Sequence, residues 1–357
     1  MKKLISAALS LVMLLALVTG CTRQVVVVVS PAPDQAPVES TSPAAPIESA
    51  APAGAVKTGL SMVIGVSSSK DAAADANGTA QTDIALVAVT VDDNGVITDC
   101  VIDAIQAKIA FSNEGRIVTD LATEFASKNE LGEAYGMRKA SSIGKEWSEQ
   151  AAAMAEYAVG KTVAELKGIA VNEKGAPSDA DLASSVTLYI GSFVSGIEAA
   201  VNNAQHLGAQ AGDKLALTSV TTMAKSKDAG EKDGQAQAYA TVAAVTLNGD
   251  TVTSCYIDAV QANVNFDAKG VITTDLTAPV ASKNELGEAY GMKKVSAIGK
   301  EWNEQAAGFA AYVTGKTVGE VAGIAVNEKG APSDADLAAS VTVGIGDFQA
   351  LIEKAAQ

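Results

Sequence analysis

Eleven residues, SKNELGEAYGM, stand at Ser127–Met137 and return letter for letter at Ser282–Met292. The same offset of 155 residues separates Trp147 from Trp302, Cys100 from Cys255 and Thr187 from Thr342. A constant offset across such unlike residues marks two copies of one unit. GIAVNEKGAPSDADLA also occurs twice, at Gly168–Ala183 and Gly323–Ala338. The first copy spans about residues 57–207 and the second about 213–357. Each is domain-sized, so the reading is two domains in tandem and not a solenoid of small repeats. The strand regions between the copies have drifted further than these segments, which favours a job for the segments beyond shared descent.

What precedes the copies points to a cell envelope. Lys2 and Lys3 are followed by an apolar run, Leu4–Val18, and then by Val18-Thr19-Gly20-Cys21. The run has the flanks of a secretory signal and is short for a membrane span. Its last four residues resemble a bacterial lipobox, which implies that Cys21 is lipidated and becomes the anchored N-terminus. Residues 22–56 hold six of the nine prolines of the chain, with alanine and serine between them. Such a segment has too little apolar bulk to offset its ordering entropy and reads as a tether. Val25–Val29 interrupts it without a physical account.

Charge and rare residues then remove whole classes of function. The net charge of −15 argues against nucleic acid and anionic lipid surfaces as partners. His206 is the sole histidine and falls between the copies, which excludes histidine triads and multi-histidine metal sites within either one. Beyond Cys21 the cysteines are Cys100 and Cys255, one per copy, so neither copy has a disulfide of its own. No carboxylates are paired at a spacing that suggests acid–base catalysis. Asp92, Asp93 and Asn94 lack the further ligands of a calcium loop and read as a solvated turn.

Each copy reads as α+β, an antiparallel sheet with packed helices. Ile84–Val91 and Val96–Ala104 alternate as strands around the turn Asp92-Asp93-Asn94-Gly95, with a further short strand near Lys108–Phe111. On the second strand Cys100, Ile102 and Ala104 share one face and Asp99 and Asp103 the other, which makes the cysteines small core residues. A helix over Ser142–Val159 puts Trp147, Ala151, Met154 and Ala158 on one face; the second copy offers Trp302, Ala306, Phe309 and Val313. Gly160 and Gly315 suit its end. Thr162…Glu165 and Thr317…Glu320 are capping boxes for a short helix, and Ile190–Ala204 closes the first copy. The Gly/Ala-rich stretch HLGAQAGD between the copies predicts motion of one against the other.

Hydroxyl-rich loops lead toward the closing helix, as Asp181-Leu182-Ala183-Ser184-Ser185-Val186-Thr187 and Asp336-Leu337-Ala338-Ala339-Ser340-Val341-Thr342. A helix N-terminus with free amides attracts anions, whereas capping alone also accounts for the serines and threonines. At this point the chain resembles the extracellular FMN-binding-domain lipoproteins of extracellular electron transfer. The chain carries a lipobox and a polar tether, and both copies then show a K-x-x-x-x-x-x-Y-G-M connection and a loop like that family's D-x-x-[ST]-G-A-[ST]. The resemblance implies FMN joined through its phosphate to Thr187 and Thr342 by a flavin transferase, with a membrane dehydrogenase as electron donor. Asp181, Ser184 and Thr187 match the motif, as do Asp336 and Thr342, while Ala339 does not. Ser185 and Ser340 replace the family's glycine and Val186 and Val341 its alanine, which argues against covalent attachment because a side chain restricts the backbone there.

With flavin bound, Lys128 and Lys283 would pair with its oxygens, and Tyr135, Trp147, Tyr290 and Trp302 would stack on its ring. Without it, the tyrosines tuck a connection onto the core, the tryptophans anchor the helix and the lysines are solvated. The sequence therefore supports a membrane-anchored flavin electron carrier, or a non-redox surface lipoprotein that binds a small ligand or a protein.

Overall fold

The computed structural model of the chain describes residues 54–357. The signal segment, Cys21 and nearly all of the tether lie outside the described residues. Copy 1 consists of β1 (Lys57–Gly65), β2 (Gly78–Val91), β3 (Ile97–Phe111), α1 (Lys128–Leu131), α2 (Trp147–Ala158), α3 (Val163–Lys167), α4 (Ala180–Ala183) and α5 (Gly191–Asn202). Copy 2 repeats the order as β4 (Lys214–Thr222), β5 (Gly234–Asn248), β6 (Thr251–Phe266), α6 (Lys283–Leu286), α7 (Trp302–Val313), α8 (Val318–Ala322), α9 (Ala335–Ala338) and α10 (Gly346–Ala355). The strands form two antiparallel three-stranded meanders, β1-β2-β3 and β4-β5-β6. The α+β expectation holds.

Several boundaries differ from the sequence reading, for identifiable reasons. β1 was not foreseen. β2 begins six residues earlier than expected, and the two short strands expected after the turn are one, β3, because Ile105, Ala107 and Ile109 continue the alternation through Gln106 and Lys108. α2 starts at Trp147 and not near Ser142, since Gly144 takes a left-handed φ of 64° and Glu146 caps the helix with Glu149. The capping boxes of α3 and α8 form as expected.

Both faces of each sheet are covered, which explains the long apolar runs. In β2, Ala80, Ile84, Leu86 and Ala88 point toward the other sheet, while Val87 and Val89 point toward the helices of their own copy. Cys100 and Cys255 are buried on the helix side. Asp99 and Asp103 share a face, as the alternation predicts. That face is the one turned toward copy 2, and Asp103 is buried.

The expected independent motion is replaced by one shared core. Leu60, Ile84, Leu86 and Phe111 of the first sheet belong to the same buried cluster as Ala240, Val242, Val264 and Phe266 of the second. The copies meet about a pseudo-two-fold axis. Phe111 and Phe266 stack across it, centroids 4.2 Å apart and planes 4° from parallel. Ala72 N donates to Gly270 O (2.8 Å), and Ala229 N to Gly115 O (2.7 Å). Ile117 N donates to Asp228 (2.7 Å), and Ile272 N to Asp71 (2.8 Å). This is the reciprocal pattern of an isologous dimer contact within one chain. Gly115 and Gly270, with φ of 69° and 71°, let each turn close onto the other copy; a Cβ on either would run into the facing backbone. The linker is fastened too: Gln205 exchanges both backbone hydrogen bonds with Thr58 (2.8 and 3.0 Å), and His206 lies 3.0 Å from Asp93.

Candidate functional site

The repeated stretch is a rigid bracket. Ser127 Oγ accepts from Glu130 N (3.2 Å) and the Glu130 carboxylate accepts from Ser127 N (2.7 Å), so the single turn of α1 is capped from both sides. Asn129 fastens it to β3, donating from its amide to Asp103 (3.0 Å) and from its side chain to Ile102 O (3.0 Å). At the other end the buried carboxylate of Glu146 accepts from Met137 N (2.8 Å) and Arg138 N (2.9 Å). Copy 2 repeats each of these contacts around Ser282, Asn284 and Glu301. The bracket's product is a lysine held over aromatic rings: Lys128 Nζ lies 4.6 Å from the Tyr135 ring and 4.8 Å from the Trp147 ring. Trp147 in turn meets Phe193 edge-on at 5.9 Å. Lys128, Tyr135 and Trp147, singled out in the sequence, do converge.

In copy 2 the lysine is shut in. Lys283 is 4% exposed, not solvated. Tyr290 (4.8 Å) and Trp302 (4.6 Å) are joined by a third ring, Tyr239 (4.7 Å), whose hydroxyl accepts from Lys283 Nζ at 3.1 Å. Thr241 Oγ1 donates to Asp347 at 3.3 Å, closing the side of the box. Burial pushes the Lys283 ammonium down to about 8, against the pull of Asp258 and Asp347. Burial likewise raises Tyr239 to about 12 and Asp258 to about 6, in spite of the donors around that carboxylate.

Copy 1 has a different set of residues around the same lysine. Asp83 stands where copy 2 has Tyr239: Asp83 pairs with Gln106 across the sheet, and Tyr239 with Gln261. Ala85 replaces Thr241 and Ser192 replaces Asp347. These smaller side chains leave a cavity of about 320 Å³ above Lys128, lined also by Trp147, Phe193 and Tyr189. Gln81 and Gln106 donate to the Asp83 carboxylate at 2.9–3.0 Å and hold it back along the sheet. Tyr189 is 62% exposed, and its ring lies against Gly175 and Gly191, where any Cβ would strike it.

The hydroxyl loops are built otherwise than the sequence suggests. α4 is one turn long, and Asp181 lies in it with its amide donating to Asp179 (3.0 Å). Ser184 Oγ donates to Asp181 O (2.7 Å). Ser185 N and Val186 N donate to Leu182 O (3.0 and 2.8 Å). Thr187 donates from both its amide and its hydroxyl to Gln150 Oε1 (2.8 and 3.1 Å), and Gln150 is fully buried. Lys145 donates to Ser185 Oγ (3.2 Å). Copy 2 matches this, with Asp336 in α9, Ser340 N donating to Leu337 O (2.9 Å), and Thr342 bound to Gln305 at 2.8 and 3.1 Å. Each loop therefore leaves the C-terminal end of a short turn, and its amides are spent inside the protein. Val186 and Val341, which stand for the family's alanine, are wholly buried and fill the core. Thr187 faces a second cleft with Ser141, Asn172 and Lys174, adjoining the Lys128 cavity only through Leu188.

No family model, curated protein or solved structure matches this chain. The site is therefore read from its own chemistry. Asp83, Tyr189 and Ser192 in copy 1, Tyr239 and Asp347 in copy 2, and the paired Gln150 and Gln305 were missed in the sequence. One signal existed. The β2–β3 turn is a residue longer than the β5–β6 turn, so β2 aligns with β5 at 156 residues, and the fixed offset of 155 pairs Tyr239 with Ile84.

Proposed function

We propose that this chain is an extracytoplasmic lipoprotein, anchored through Cys21, whose first copy binds a small ligand in the Lys128 cavity and carries out no redox step of its own. One observation carries the reading: the same bracket presents a lysine in both copies, yet its surroundings are open in copy 1 and filled from within in copy 2. A cavity of this size, apolar around a few convergent polar groups, is of the kind that takes small molecules. Copy 2 then serves as the scaffold that completes the shared core. The tether would hold the cavity away from the membrane surface.

Ligand-observed NMR with a mixed set of small aromatic and aliphatic acids, alcohols and amines tests this. Binders are expected, and Asp83→Tyr, which imports the copy 2 residue, abolishes their signals. A set without a single Asp83→Tyr-sensitive binder refutes the reading.

A second reading is the flavin electron carrier, with FMN as cofactor and a flavin transferase and a membrane dehydrogenase as partners. The convergence of Lys128, Tyr135 and Trp147, which that reading requires, favours it. The engagement of Thr187 and Thr342 with buried glutamines weighs against phosphoester attachment. Visible spectra and intact mass after denaturation, from hosts with and without a flavin transferase, decide. A yellow protein with a mass gain lost in Thr187→Ala and Thr342→Ala supports the carrier. A colourless protein of unmodified mass that takes up no FMN removes it.

A further inference from the structure

We infer that the copy 1 cavity takes a single aromatic ring bearing an oxygen acceptor, a phenol or a ring carbonyl, placed over Lys128 as the Tyr239 ring is placed over Lys283. This rests on the proposed small-ligand site and gives the chemistry of its occupant.

Copy 2 supplies the template. Its bracket superposes in sequence and contacts on that of copy 1, so the environment that suits Lys283 is a guide to what Lys128 lacks. Lys283 has three rings around its ammonium and a phenolic oxygen at 3.1 Å. Lys128 has two rings and no side-chain oxygen partner among the described residues. The difference is one phenol, removed from the chain by Asp83 and replaced by open volume. A ring seated there would complete the aromatic box, where a cation–ring contact gains strength as water leaves. Its oxygen would accept from Lys128 Nζ. Tyr189, exposed on its glycine bed beside Ser192, offers a further ring face at the mouth. Copy 2 has Gly344 at that position. Asp83, held by Gln81 and Gln106, lines the cavity and disfavours a carboxylate substituent beside it. The repulsion of Asp83 thus offsets the attraction of Lys128 for an anion, and an uncharged acceptor meets the ammonium without that repulsion.

The test uses 4-methylphenol, which is the tyrosine side chain itself, against toluene, which lacks only the oxygen. Residues 51–357, one compact unit, are titrated by calorimetry and by ligand-observed NMR. 4-Methylphenol is expected to bind once per chain, and toluene about tenfold more weakly, the difference one hydrogen bond makes. Asp83→Tyr should abolish binding with the circular dichroism spectrum retained, and Tyr239→Ala should raise the stoichiometry to two. Absence of 4-methylphenol binding, equal binding of toluene, or full binding by folded Asp83→Tyr each overturns the inference. Should Tyr239→Ala fail to fold, the 4-methylphenol and toluene comparison on the unaltered chain still decides. If 4-methylphenol fails while another small molecule binds in an Asp83→Tyr-sensitive way, only the ring assignment falls. If nothing binds, the small-ligand reading falls with it.

Discussion

The two copies hold the same bracket and use it differently. In copy 2 the lysine is sealed by Tyr239 and the Thr241–Asp347 pair, and the box is part of the core. In copy 1 Asp83, Ala85 and Ser192 leave it open. Burying an ammonium is costly unless its surroundings compensate, so the sealed copy shows what the bracket needs and the open copy shows what it lacks. The duplication lets one half change while the other keeps the fold intact, because both halves close the same core.

The strongest break in this comparison lies at the axis. Phe266→Ala removes a fully buried ring that stacks on Phe111 and is expected to cost about 3–5 kcal/mol. Calorimetry should show both copies melting together in one lowered transition. Two separate transitions would mean that the copies are independent domains after all. Next come the glutamines that the copies share. Gln150→Ala and Gln305→Ala each strand a threonine amide and hydroxyl, at about 1–3 kcal/mol apiece. Urea midpoints should fall by similar amounts in the two variants, since this feature is common to both halves.

The pH dependence should single out copy 2. With its folded pKa near 8 and an unfolded value near 10.4, Lys283 binds fewer protons folded than unfolded between those limits. Stability therefore rises with pH through that window. Lys283→Met should abolish the rise in melting temperature from pH 8 to 10, whereas Lys128→Met, which leaves Lys283 in place, should keep it. Equal slopes in the two variants would contradict the sealed box. The smallest effect is expected at the Lys354–Glu130 pair, a 2.6 Å bridge between copies with both partners about one-third exposed. Ala199 stands at the Lys354 position in copy 1, so the bridge exists on one side of the axis only. Lys354→Ala should cost about 0.2–1 kcal/mol, and less in high salt, as read from urea midpoints.

Much of the fold was legible because its signals are local. The capping boxes at Thr162 and Thr317, the apolar face of Trp147, Ala151 and Met154, and the strand phase of Cys100 and Ile102 depend on residues a few positions apart. The site was legible in part. Lys128, Tyr135 and Trp147 stood out through the repeat, but Asp83 and Ser192 did not, since they come from β2 and α5 and face a lysine that lies between them in sequence. The hydroxyl loops do lead toward the closing helix, but not directly into its first turn. Three residues separate Thr187 from α5, and Gln150, distant in sequence, had already taken the Thr187 amide.

By itself the sequence determined that there are two copies, that each is α+β, and which short segments repeat with their caps and glycines. These follow from periodicity and identity, which any reader of the chain can count. Only the tertiary structure decided that the copies share one core, that Glu146 and Asn129 make the repeat a bracket for a lysine, and that one lysine is sealed while the other faces a cavity. The physical reason is that burial and cavity are properties of what packs from elsewhere in the chain. A change from Tyr239 to Asp83 opens a site only because a lysine some forty-five residues onward has been folded over it.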